Sequence, residues 1–143
     1  MLQLFLTLAL LLLSPYATGA EKKPEATLYR VPFCGCCDGH AEHLRANGYS
    51  VTVVETKNMS VIKKKYGVPQ EFEGCHTIEV GGYVVEGHVT ATVIDKLLKD
   101  RPAIRGISLP GMPDGSPGMS GTKKGPFVFY ELSKESGKVF ATE

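Results

Sequence analysis

Three of the chain's four cysteines stand within four positions, Cys34-Gly35-Cys36-Cys37, and the residues on either side restrict what can hold them. The preceding TLYRV has the β-branched and aromatic content of a short strand, ended by Pro32. The following residues set Cys37, Ala41 and Leu44 at i, i+4 and i+7, the spacing of one helix face, with Asn47-Gly48 as a stop signal. The cluster therefore sits on a strand-to-helix turn. Unsatisfied N–H groups and the positive end of the helix dipole favour thiolate over thiol there. Gly35 allows the backbone to turn closely around whatever the sulfurs hold.

The remaining pattern extends this turn into an α/β order. YSVTVVET alternates as a second strand, and Asn58 to Tyr66 reads as a helix capped by Asn58 or Ser60 and ended by Gly67-Val68-Pro69. HTIEV and YVVEG, separated by Gly81-Gly82, form a hairpin signal with a primed-type turn. Thr90 or Thr92 caps a third helix whose apolar stripe is Val93, Ile94, Leu97 and Leu98, with Arg101-Pro102 beyond its end. The sum is β-α-β-α-β-β-α, a sheet with helices on its faces. GISLPGMPDGSPGMSGTKKGP then reads as one long loop, the kind that serves as a functional flap in a compact domain. PFVFYEL and KVFAT follow as a terminal hairpin about Lys134 to Gly137.

Residues 1–20 read as a secretory signal: an apolar run from Leu2 to Leu13, too short for a comfortable membrane span, then a polar stretch and small residues, with cleavage after Gly19 or Ala20. Residues 21–143 are expected to be a single exported domain, with no membrane segment after signal removal. At roughly 120 residues it can bury its own core without disulfide staples. The net charge of +1 supplies no basic face for nucleic acid. The Lys63-Lys64-Lys65 run reads as a solvated helix face.

Cys34 to Cys37 is a C-x-x-C, the spacing of thiol-disulfide exchange, and Cys34 to Cys36 is an overlapping C-x-C. Three ionised thiols this close repel one another, so full ionisation calls for a bound cation. Thiolate-rich, carboxylate-poor sites suit Cu(I), Zn(II) or iron-sulfur clusters. Zinc more often takes paired C-x-x-C arms, and export as an unfolded chain disfavours iron-sulfur. Cys75, just before the third strand, is placed by the element order to join the other three, and so is His88 in the loop after the fourth strand. Two alternatives stand beside metal binding. One is a disulfide-stapled interaction domain with Cys34–Cys37 and Cys36–Cys75 bonds; the other is a metal-independent thiol-disulfide oxidoreductase using Cys34 and Cys37.

Cys36, His40 and His43 share one side of the first helix, and His43 is favoured over His40 as a ligand; each alone reads more simply as an exposed helix residue. His76 should point away from the sulfurs if Cys75 points in, by strand alternation. Met112 and Met119 lie in a loop rather than on an apolar face, so core filling does not account for them. Their thioethers are soft ligands for Cu(I).

YRVPFCGCCDGHAEHLRANGY, GVPQEFEGCHTIEVGGYVVEGHV and LPGMPDGSPGM together resemble the small periplasmic CopG-type copper-resistance proteins, known by a CGCC signature. The resemblance spans nearly all of residues 21–143. It implies a thioredoxin-like sheet with flanking helices, a C-terminal Gly/Pro/Met loop and hairpin, and periplasmic copper binding through thiolates. It also implies redox interconversion of copper during resistance, the work of a copper oxidoreductase. Carried over by position, Cys34, Cys36 and Cys37 match the signature and Cys75 matches the Cys-His-Thr motif. Met112 and Met119 match the G-M-P-x-G-S-P-G-M loop, and His43 and His88 fall on motif positions. His40 departs from the pattern, which usually has an aromatic residue there. Thioredoxins carry a proline before the third strand, where this chain has Cys75-His76-Thr77, and that loss argues for metal over ordinary disulfide exchange. The expected cargo is copper as Cu(I), held as one ion or as several bridged by sulfur. The expected partners are other periplasmic copper-handling proteins.

Overall fold

A computed structural model describes residues 21–133 and 137–143; the signal expected at residues 1–20 and most of the last turn lie outside them. The elements are β1 (Ala26–Arg30), α1 (Gly35–Ala46), β2 (Val51–Glu55), α2 (Met59–Tyr66), β3 (Thr77–Val80), β4 (Tyr83–Glu86), α3 (Ala91–Asp100), β5 (Gly106–Ser108), β6 (Val128–Leu132) and β7 (Val139–Thr142). The β-α-β-α-β-β-α order read from the sequence is present through α3. One sheet holds all seven strands in the order β2-β1-β3-β4-β5-β6-β7. β1 pairs parallel with β2 and antiparallel with β3, and β3 with β4 forms the expected hairpin across Gly81 and Gly82, both at positive φ.

Strand alternation divides the core between the two faces. Leu28, Ile78, Val80, Val85, Ile107 and Phe129 pack with Cys37, Ala41 and Leu44 of α1 and Ile94 and Leu97 of α3. On the opposite face Val84 and Leu132 pack with Val68 and Phe72, which follow α2. Local chemistry ends the helices as expected. Asn58 Oδ1 accepts the Val61 N–H, Thr90 Oγ1 accepts the Val93 N–H, and Gly67 closes α2 at φ +65°.

Two expectations need correction. GIS, read as part of the long loop, is β5, a buried strand inserted parallel to β4 in the sheet interior. Its three residues are too few to carry a period, so only pairing on both sides reveals it. Lys63, read as part of a solvated face, is buried and ion-paired with Glu86, whereas Lys64 and Lys65 are exposed. The expected terminal hairpin is present as antiparallel β6 and β7, with Phe127 and Glu143 exchanging both backbone hydrogen bonds at its open end.

Candidate metal centre

Arg30 at the end of β1 joins Asp38 in the first turn of α1 at 2.8 Å and Glu55 at the end of β2 at 2.9 Å. It ties the three elements around the cysteine turn. Phe33, fully exposed and at φ +61°, swings the chain into α1. Cys34 caps the helix through its carbonyl, which accepts the Asp38 N–H at 3.1 Å. The helix begins at Gly35 rather than Cys37, so Cys36 and Cys37 both stand in the first turn.

Cys75 reaches this turn from the segment before β3, which a buried network fixes. Glu86 accepts the Gly74 N–H at 2.8 Å and the Thr77 hydroxyl at 2.6 Å, while Lys63 pairs with Glu86 and donates to the Gly74 carbonyl at 3.1 Å. Every charge in the network thus has partners, the condition for burying it. Cys34 and Cys37 form a disulfide, and Cys36 and Cys75 are free, half-buried thiols. Cys75 Sγ lies 3.4 Å from Cys34 Sγ, 3.4 Å from Cys36 Sγ and 3.3 Å from Cys37 Sγ. Burial, followed by the contact with Cys36, pushes the Cys75 thiol up to about 12. The helix dipole, which favours thiolate in the first turn, does not overcome desolvation at a sulfur supplied by another segment.

Behind the sulfurs lies a second cluster that sequence reasoning did not assemble. His40, His76 and His88 are fully buried, each offering a ring nitrogen within 4.8 Å of the others. His40, expected at the surface, lies on the buried stripe of α1 with Cys37, Ala41 and Leu44. Its spacing of i+3 from Cys37 was the available signal, obscured because histidine is ordinarily polar surface. His76 points away from the sulfurs, as alternation requires, and into this cluster.

The favoured His43 stacks on His40 at 6.1 Å between ring centroids but joins neither group of ligand atoms: it is half-buried, and its Nε2 accepts the Ala91 N–H at 3.1 Å, capping α3. Burial lowers its pKa, in keeping with an imidazole that accepts. His88 belongs with the other imidazoles, its Nδ1–H donating to the Pro117 carbonyl at 2.7 Å.

That hydrogen bond fastens the flap between β5 and β6. Gly118 stands at φ +86° so close to α1 that a Cβ on it would meet Cys36 O and His40 N, both at 2.5 Å. Its neighbour Met119, half-buried, is thereby set beside the helix turn that carries both clusters. At the other end of the flap Gly111 bridges to Gly74, and Met112, next along, is exposed beside the Cys75 segment. No helix among the described residues is long and apolar enough to cross a membrane.

A family model described as a protein of unknown function, DUF411, matches residues 72–119, the stretch from Phe72 through the second flap methionine. No curated protein matches the chain. Two solved structures, named copper resistance protein copG, Form 1 and Form 2, are each 37% identical to it. Each match covers 85% of this chain and 98% of the other, with TM-scores of 0.77 and 0.78.

Proposed function

The chain belongs to the CopG family of copper-resistance proteins, and we propose that it is an exported protein that binds copper as Cu(I) on Cys34, Cys36, Cys37 and Cys75. The observation that carries this reading is the position of Cys75 Sγ, within 3.4 Å of all three sulfurs of the helix turn although it is distant in sequence. Soft sulfur, the lack of a carboxylate among the grouped ligands and half-burial favour a soft monovalent ion over a hard divalent one.

Loading requires reduction of the Cys34–Cys37 bond by an external dithiol, which gives up two electrons and two protons to yield the two thiols and is itself oxidised to a disulfide. Copper then displaces the thiol protons. Four sulfurs exceed what one Cu(I) needs, so the sulfurs bridge several ions. Met119 and Met112, on the flap that the His88 contact holds down, supply thioethers. His43, engaged at the start of α3, supports the helix rather than the metal. Fold and residue pattern support a thioredoxin-like protein in the periplasm that exchanges copper with other copper-handling proteins. Sulfurs that pass between disulfide and thiol suit a site proposed to cycle copper between Cu(I) and Cu(II).

Reduced protein titrated anaerobically with Cu(I) should take up more than one equivalent with sulfur-dominated X-ray absorption. A single equivalent leaves only a mononuclear site, and no sulfur-bound copper refutes the reading. The Cys34–Cys37 disulfide favours a second reading, metal-independent thiol-disulfide exchange. Turnover of a disulfide substrate by metal-free protein, lost in Cys34→Ala, would establish it.

A further inference from the structure

The three buried histidines form a group that the sulfur site does not use, and their hydrogen bonds disclose where each proton sits. His40 Nε2 lies 2.7 Å from the Val89 carbonyl, which can only accept, so this nitrogen carries hydrogen. Burial holds His40 neutral, with its pKa lowered to about 3, and its Nδ1 is therefore bare. That bare nitrogen lies 2.6 Å from His76 Nε2, which must donate to it. His76 Nδ1 is buried with no acceptor to receive a proton, so the ring keeps its hydrogen on Nε2 and Nδ1 is bare as well. His88 donates from Nδ1 to the Pro117 carbonyl, leaving Nε2 bare.

Two of these lone pairs, on His76 Nδ1 and His88 Nε2, are buried with no hydrogen-bond partner among the described residues. An orphaned buried acceptor is destabilising, and proteins seldom keep two side by side. The rings surround a common space. Centroids of His40 and His76 are 4.8 Å apart, His40 and His88 5.4 Å, and His76 and His88 4.7 Å with their planes at 88°.

We infer that His40, His76 and His88 form a second copper site, distinct from the sulfur cluster, that takes one Cu(I) through three neutral imidazoles. Three nitrogens around one ion at about 2.0–2.1 Å lie about 3.5 Å apart, which ring rotation reaches from the observed spacing of up to 4.8 Å. Binding releases no proton: His88 presents a lone pair already, His40 frees Nδ1 as the hydrogen bond from His76 opens, and His76 presents Nδ1 or moves its proton from Nε2 to Nδ1.

The charge of the ion follows from the surroundings. No carboxylate stands in the group, and Lys63 adds positive potential at His76. A divalent ion held by neutral ligands in this interior would keep a large uncompensated charge, whereas imidazole and low net charge suit Cu(I). Access runs through the sulfurs. His40 follows Cys36 and Cys37 by one helical turn and His76 follows Cys75 directly, so an ion on the half-buried thiols is one step from the imidazoles.

The test is an anaerobic Cu(I) titration of reduced, uniformly ¹⁵N-labelled protein, followed by long-range ¹H–¹⁵N spectra of the imidazoles and by X-ray absorption. One bare nitrogen of each of His40, His76 and His88 should leave the bare-imine position in a step separate from the rise of sulfur scattering. His40→Phe should remove that step and lower the copper count by one. Imidazoles unchanged at copper saturation would overturn the inference and leave a hydrogen-bond network. Imidazole shifts that rise in parallel with sulfur binding, with no separate step, would overturn it too, by making them ligands of the sulfur cluster. Uptake of Zn(II) at these nitrogens and not Cu(I) would overturn the assignment of the ion. Sulfur scattering reports the thiolate site independently, so failure of one reading is distinguishable from failure of the other.

Discussion

The sulfur and histidine clusters share two stretches of backbone, the first turns of α1 and residues 75–76 ahead of β3, with His88 added to the histidines from the loop after β4, yet burial acts on them in opposite ways. Desolvation favours the neutral form of any titrating group. For Cys75 the neutral form is the thiol, which must lose its proton before it can bind a metal. For His40 and His76 it is the free base, which is the binding form. On the proposed readings, neighbouring regions under one physical pressure are thus a site that waits for a cation to displace protons and a site already prepared to receive one. Cys36 and Cys75 remain half-open to solvent while Cys37 and the imidazoles are sealed, in keeping with a proposed receiving site in front of a proposed storage site.

The largest effect should come from the network that fixes the sulfur side. Glu86→Ala leaves Lys63 buried and unpaired and frees Gly74 and Thr77, and should destabilise the fold by about 3–5 kcal/mol in urea unfolding. A loss under about 1 kcal/mol would show that the pair is not buried in solution. Cys75→Ser comes next: it should weaken Cu(I) binding at least about a hundredfold in competition with a chelator, beyond the usual penalty for disturbing a group behind the ligands. Unchanged affinity would remove Cys75 from the site.

Gly118→Ala acts on the histidine side. Its Cβ would strike α1 backbone at 2.5 Å from a left-handed conformation, so the flap should lift at a cost of about 1–3 kcal/mol. Amide exchange should accelerate from Pro113 to Ser120 while β1 to β4 remain protected.

The comparison also has a pH signature. Cu(I) affinity at the sulfurs should rise at least about tenfold per pH unit through neutrality, since binding releases the Cys75 proton together with those of the other thiols, and the imidazole step should be flat above pH 7. Stability of the metal-free protein should run with pH on account of the histidines. Their folded pKa values lie below the ordinary 6.5, with His40 at about 3, so the unfolded chain binds more protons in between. Stability is then complete above about pH 6.5 and is lost as pH falls toward 3. His40→Phe should make that slope shallower, read as urea midpoints at pH 7, 5 and 4.

Where a residue's neighbours in sequence decide its surroundings, the reading was accurate. Cys37, Ala41 and Leu44 declared the buried face of α1, Gly81-Gly82 declared the hairpin, and Asn58 and Thr90 declared helix starts. Where pairing partners arrive from afar, it was not. Lys63 reads as a surface lysine until Glu86 is brought beneath it, and Gly106–Ser108 reads as loop until β4 and β6 flank it. His40 reads as helix surface until His76 and Val89 meet it.

The sequence alone determined the cysteine turn, its soft-ligand chemistry and the layer order that carries it, because these follow from residue type and short-range period. Only the tertiary structure decided how closely Cys75 approaches the sulfurs the sequence already pointed it toward, that His43 caps α3, and that three imidazoles close into a buried cluster. Burial and proton placement are properties of what surrounds a group on every side, and most of those surroundings lie far away along the chain.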